Sequence, residues 1–257
     1  CRWAAYEVNP QEGNGTLTLR NVKTGKTITI PRGYNPKFTA DSRNAVALIK
    51  PLFADTRQAK IDKKKDFDMP QDSLAIVDLA SGSVTKIANV IRYGIGKEGG
   101  EWVAYLSCDT AHKKAGRPLV LRNLRSGESK IVNWVKEFSF SDDGMRIAAS
   151  LATCGKDSTA TDGIGIISLP DTNMFLIDRD KVFYSAPVLN RAGTAVSYVA
   201  STDSTETGTR KSVLYLADLG KGGDSFPEPR ALCDSRMSVA GADTLFVNQY
   251  TVPQFSH

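Results

Sequence analysis

The sequence predicts an all-β fold, a β-propeller built from four-stranded antiparallel blades, on three observations. Strand-like text recurs along the whole chain at intervals of 43 to 57 residues. The same turn chemistry returns at the same place in each interval. No helical periodicity of useful length competes with it. Equivalent positions are Trp3, Val46, Val103, Ile147, Val196 and Leu245, spaced by 43, 57, 44, 49 and 49 residues.

The fourth repeat shows the plan most completely. Glu137-Phe138-Ser139-Phe140 is a first strand, and Ser141-Asp142-Asp143-Gly144 a tight turn. Met145 to Leu151 and Gly163 to Leu169 are the next two strands. Pro170-Asp171-Thr172-Asn173 turns the chain into Met174-Phe175-Leu176-Ile177. The second, third and fifth repeats begin alike, at Lys37 to Asn44, Lys97 to Gly100 and Pro187 to Gly193. The first opens directly on second-strand text, Arg2-Trp3-Ala4-Ala5-Tyr6, and Ala240 to Val247 begins a sixth. The later halves also align: Leu17 to Lys26, Leu74 to Ser83, Leu119 to Glu128 and Leu214 to Gly220. Asp-Gly and Ser-Gly pairs supply the positive φ of tight hairpins. Runs such as Val46-Ala47-Leu48-Ile49 are apolar without alternation, as strands buried on both faces require. A sandwich would not repeat its turns so regularly.

Counted this way, the chain holds about five and a half repeats and twenty-one strands, not a whole number of blades. Residues 1–257 are therefore expected to form one propeller domain or part of one, a fragment of a larger propeller. The missing initiator Met and the immediate start of strand text agree with a piece of a longer or processed chain. A lipidated Cys1 is the weaker alternative, because no flexible tether separates it from the strand.

Composition places the chain among folded globular proteins, with 41% hydrophobic and 24% charged residues. The net charge of +5 is too mild to indicate nucleic acid. No run of about 18 apolar residues offers a membrane span. The cysteines Cys1, Cys108, Cys154 and Cys233 lack Cys-x-x-Cys spacing and read as buried or half-buried thiols, any pairing being left open.

No catalytic, cofactor-binding or metal-binding residue is expected, and no cofactor. The two histidines are His112, in a lysine-flanked loop, and His257; neither has the setting of a triad or a zinc site. Gly94-Ile95-Gly96-Lys97-Glu98-Gly99 matches a dinucleotide fingerprint, but a strand follows where a helix is needed. Gly25-Lys26-Thr27 reads as a hairpin turn, as does Asn14-Gly15-Thr16 in preference to a glycosylation site. Asp41, Asp142 and Asp143 occupy turn positions and read as turn formers. Ala54 to Asp68, the insert behind the 57-residue spacing, reads as a solvated loop; a rim element touching a neighbouring domain or substrate is the functional alternative. Its lysines have no aromatic platform for nucleic acid.

Phe138 to Ala148, Phe-Ser-x-Ser-Asp-Asp-Gly-x-x-Ile-Ala, resembles the repeat of TolB-type propellers and of prolyl oligopeptidase-family serine peptidases. Two stretches look like the peptidase side: Gly33 to Arg43 with Ile49-Lys50-Pro51, and Ile95 to Tyr105. Together they are similar to the N-terminal propeller of dipeptidyl-peptidase-like enzymes from Bacteroides-type bacteria. The resemblance implies a propeller that caps a C-terminal α/β-hydrolase domain and admits short peptides to it. That catalytic domain is absent from this chain: Gly223-Asp224-Ser225-Phe226-Pro227 is not a Gly-x-Ser-x-Gly elbow. The substrate contacts cannot be placed on residues. A periplasmic or cell-envelope setting follows from the resemblance. The alternative it leaves is a TolB-like scaffold that binds protein partners in the periplasm; a propeller enzyme such as a lyase or glycosidase ranks below both, because the repeats offer mainly Ser, Ala and Asn where clustered carboxylates or His would be needed.

Overall fold

A computed structural model describes residues 2–65, 68–108, 116–153, 161–169, 171–204, 209–220, 227–233, 247–248 and 250–255. His112, His257, Cys1, Cys154, the Gly223–Pro227 text up to Phe226 and nearly all of the sixth repeat lie outside them. The chain divides into two compact units, Cys1–Lys113 with Val120–Ser129, and Lys114–Leu119 with Lys130–His257.

The first unit opens with β1 (Trp3–Val8), β2 (Thr16–Asn21) and β3 (Thr27–Pro31), an antiparallel sheet in that order. A four-stranded meander follows: β4 (Gly33–Phe38), β5 (Asn44–Ile49), β6 (Ser73–Asp78) and β7 (Val84–Ile87), with helix α1 (Phe53–Ile61) between β5 and β6. Then come the antiparallel pair β8 (Val90–Ile95) and β9 (Trp102–Ser107) and the strand β10 (Arg117–Asn123), which belongs here from Val120 onward. In the second unit β11 (Ser129–Phe140), β12 (Arg146–Leu151), β13 (Gly163–Ser168) and β14 (Asn173–Arg179) pair in succession. So do β15 (Phe183–Leu189), β16 (Ala195–Ser201), β17 (Val213–Asp218) and β18 (Arg230–Cys233). These are four-stranded antiparallel propeller blades, as the repeats predict.

Alternation along β5 and β6 explains their unbroken apolar text. Ala45, Ala47, Ile49, Ala75 and Val77 pack against Leu17, Leu19, Ile28 and Ile30 of the first sheet. Val46, Leu48, Leu74 and Ile76 point the other way, onto Val90, Tyr93, Val103 and Tyr105. In the second unit Ala148, Ile164 and Ile166 pack on Tyr184, Val196 and Tyr198. Each middle strand is thus buried on both faces, and its backbone groups must be paired on both edges.

The turns carry a side-chain clamp. The Ser141 hydroxyl donates to Asp143 Oδ1 (2.5 Å) and accepts from the Arg146 N–H (3.0 Å). The Thr39 hydroxyl does the same with Asp41 (2.6 Å) and the Asn44 N–H (3.0 Å). Asn190 makes the turn with its amide oxygen, accepting from Thr194 and Ala195 N–H at 2.8 and 3.1 Å. Asp41 and Asp143 are turn formers here. Gly193 sits at φ +66, where an added Cβ would lie 3.2 Å from Ser141 Cβ. The later hairpins use Asx turns: Asn21, Asp78 and Asn123 each accept from backbone N–H groups two or three residues on. Gly25, on the way into β3, is one of these hairpin turns, at φ +73. Gly94 lies within β8, and Gly96 and Gly99 fall between β8 and β9.

Two expectations are corrected. The insert contains α1 rather than only loop. Its sequence has good helix formers, Asp55 in the first turn and Lys60 in the last, but Ala59 alone is buried. It has no apolar stripe for a periodicity reading to find. Asn14-Gly15 does lie in the β1–β2 hairpin connection, but it does not make the turn itself. The β1–β2 connection spans residues 9–15, Gly13 takes the positive φ, and the Asn14 side chain accepts from the Phe53 N–H at 3.0 Å. Tying down the start of α1 is what the wider loop achieves.

Ser141 is fully buried. Ser141→Ala strands the Arg146 N–H and one lone pair of Asp143, and is expected to cost about 1–3 kcal/mol. A lowered urea midpoint at unchanged slope would report it.

Candidate functional site

The first strands of the second to fifth repeats are bulged. Register slips between Tyr34 and Lys37 in β4, Val90 and Arg92 in β8, Val135 and Glu137 in β11, and Ser185 and Val188 in β15. Asn35 and Ala186, each followed by proline, have φ +49 and +48. A bulge leaves a backbone N–H outside the ladder, and proline has none to lose. The remaining donors meet carboxylates. Asn35 N–H donates to Glu7 Oε1 (2.7 Å), and Ala186 N–H to Glu137 Oε2 (2.5 Å). The buried Tyr93 hydroxyl donates to the Asn35 carbonyl (2.5 Å).

Beside the β4 bulge the first unit holds a cavity of about 360 Å³. Its walls come from the ends of three strands and from the insert. The Tyr34 hydroxyl donates to Asp72, just ahead of β6. Lys50 Nζ lies 5.0 Å from the Tyr34 ring centroid. Arg32, at φ +63, donates from Nη1 to the Lys50 carbonyl at 2.7 Å. Pro51, Phe53 and Pro70 make the apolar part of the wall, and Asn14 closes one end. Burial, and the carboxylate of Asp72 beside it, push the Tyr34 hydroxyl well above its ordinary range, so it stays a donor.

The second unit has a polar cavity of about 570 Å³ edged by Asp178, Arg179, Asp180, Lys181 and Glu228. Its charges are largely spent on each other. Lys181 Nζ donates to both oxygens of the buried Asp178 (2.6 and 2.7 Å), and Arg179 lies 3.8 Å from Asp180. Asp178 also accepts from the hydroxyls of Tyr198 (2.5 Å) and Tyr184 (3.3 Å). Tyr198 stacks on Tyr215 at 5.5 Å, and Lys181 caps the Tyr215 ring at 4.7 Å. Asp178 and Lys181 thus spend their charges on each other and on the tyrosines, which makes this cluster a structural anchor. The first-unit cavity, with Arg32 and Lys50 turned to it, is the candidate site.

Sequence reasoning places no substrate contact, and Arg32, Tyr34, Lys50 and Asp72 were not singled out as site residues. The signal was present: the 57-residue spacing marks the insert, and Gly33 to Arg43 with Ile49-Lys50-Pro51 carries the family resemblance. No group of three or more His, Cys, Asp or Glu residues placed to hold a metal exists among the described residues. Cys108 and Cys233 are half-buried. No helix among the described residues is long and apolar enough to cross a membrane.

No protein-family model matches the sequence, and no curated protein is significantly similar to it. Solved structures do share its fold. An oligogalacturonate lyase in complex with manganese superposes with a TM-score of 0.50 at 14% identity, over 91% of this chain and 66% of that one. The β-propeller domain of the trilobed protease from Pyrococcus furiosus gives 0.49 at 14%, over 86% and 67%. TolB from Acinetobacter baumannii gives 0.44 at 11%, over 91% and 53%. The likeness is one of fold. The chain spans about half to two-thirds of the length of these structures.

Burial raises the Tyr198, Tyr184 and Tyr93 hydroxyls, the first two further through Asp178. A raised folded value means the folded state holds protons that the unfolded state releases. The stability this represents is whole below about pH 10 and is lost as pH climbs through the folded values. Alkaline titration should therefore show the share of phenolate absorbance that these three tyrosines contribute rising only together with unfolding. In Tyr198→Phe, the fall of stability above pH 10 should be shallower by up to about 1.4 kcal/mol per pH unit.

Proposed function

We propose that the chain is the non-catalytic propeller of a prolyl oligopeptidase-like serine exo- or oligopeptidase of the cell envelope. Its role is to cover the mouth of a C-terminal α/β-hydrolase domain and restrict entry to short peptides. The observation that carries this reading is a coincidence of place. The stretches that resemble peptidase propellers, Gly33 to Arg43 and Ile49-Lys50-Pro51, also supply Tyr34, Lys50 and Pro51 to the candidate cavity. The cap needs no chemistry of its own. A rigid blade framework excludes by size, and the propeller need only present polar groups to a bound peptide.

A TolB-like scaffold is the second reading, favoured by the Phe138 to Ala148 text that both groups share. The two differ in what the native gene product contains. Blotting source extract with antibody to this chain, after labelling with a fluorophosphonate serine probe, is expected to show a product larger than 27.9 kDa by a hydrolase-sized domain. That product should carry the label and should cleave short Xaa-Pro peptides but not folded proteins. An unlabelled product of 27.9 kDa, with no longer precursor, would overturn the cap. An envelope protein co-purifying with it would then support the scaffold.

A further inference from the structure

The candidate cavity has a chemistry more specific than its place suggests. Among the described residues three ionic side chains line it, Arg32, Lys50 and Asp72. Asp72 is engaged by the Tyr34 hydroxyl. Arg32 meets only a backbone carbonyl, and Lys50 only the face of Tyr34; neither has a carboxylate partner among the described residues. The described lining therefore carries one net positive charge. One edge of it is cationic, and the other, from Pro51, Phe53 and Pro70, is apolar.

The apolar edge is built largely by the insert. Phe53, Thr56 and Pro70 belong to the extra residues between β5 and β6 that lengthen this repeat. In a repeat protein such insertions gather on one face, often the binding face. Pinning the Phe53 N–H on Asn14 fixes the insert over the cavity.

We propose that this cavity binds a small organic monoanion: a carboxylate held by Arg32 and Lys50, with an apolar or aromatic body against Phe53, Pro51 and Pro70. An N-blocked amino acid or the C-terminal residue of a short peptide has this chemistry. Its volume is in the range of small-ligand sites. A dianionic phosphate fits less well, because Asp72 opposes the second charge. An amine fits less well, because it would meet the two cations Arg32 and Lys50 in the same lining.

The test is calorimetric titration of the chain with N-acetylphenylalanine and, separately, its neutral amide. The acid is expected to bind, and the amide about tenfold more weakly, the loss of a charge-assisted contact. Lys50→Gln should weaken the acid about five- to tenfold, leave the amide unchanged, and keep the parent melting temperature, because the Lys50 backbone contacts remain. Arg125→Gln, which removes a cation paired with Glu101 outside the cavity, should titrate like the parent. Equal binding of acid and amide, binding of neither, or a Lys50→Gln titration like the parent's would overturn the proposal. No peptidase activity enters the readout, so this inference and the cap reading fail separately.

Discussion

Burial of the middle strands on both faces is the constraint on which the remaining structure depends. In β5, β12 and β16 nearly every residue is buried, and in β5 successive side chains alternate between two neighbouring sheets. A strand so placed can carry no charge along its length without a desolvation cost of several kcal/mol. Ionisable groups are pushed to strand ends, turns and inserts. Tyr34, Lys50 and Asp72 stand near the ends of β4, β5 and β6, and Asp178 near the end of β14. The chemistry of this protein is located at its strand ends for that reason.

The two ionic clusters show two uses of that boundary. Around Asp178 the charges close on themselves, with Lys181, two tyrosine hydroxyls and a stacked ring completing the shell. Such a cluster holds β14 and β15 to β16. Around Arg32 and Lys50 the positive charges exceed the carboxylates among the described lining residues. Cations held by a carbonyl and a ring face, rather than by an acid, keep their electrostatic pull for something outside the fold. This difference in charge closure, more than cavity size, separates a structural anchor from a candidate site.

Much of the blade plan was legible because it is written in local chemistry. Ser141, Thr39 and Asn190 each close a turn with a side-chain oxygen, and Asn21, Asp78 and Asn123 do so in the later hairpins. Short-range hydrogen bonds of this kind leave a direct mark on sequence. The helix α1 was not legible, since a helix with one buried residue has no periodic signature. The Asn14-Gly15 pair misleads for a related reason. Its hairpin preference is a local term, and the contact that overrides it, to the Phe53 N–H, is 39 residues away.

The sequence by itself determined the fold class, the strand order within each repeat, the turn residues and the position of the insert. Each of these follows from propensity, periodicity or a contact within a few residues. Only the tertiary structure decided which polar residues meet. Arg32, Lys50, Phe53 and Asp72 are brought to one cavity by the return of β5 and the insert toward the start of β6. Nothing in their spacing encodes that, because a meander converts distance along the chain into adjacency only after the strands have paired. The charge balance that makes this cavity a candidate site is a property of that adjacency.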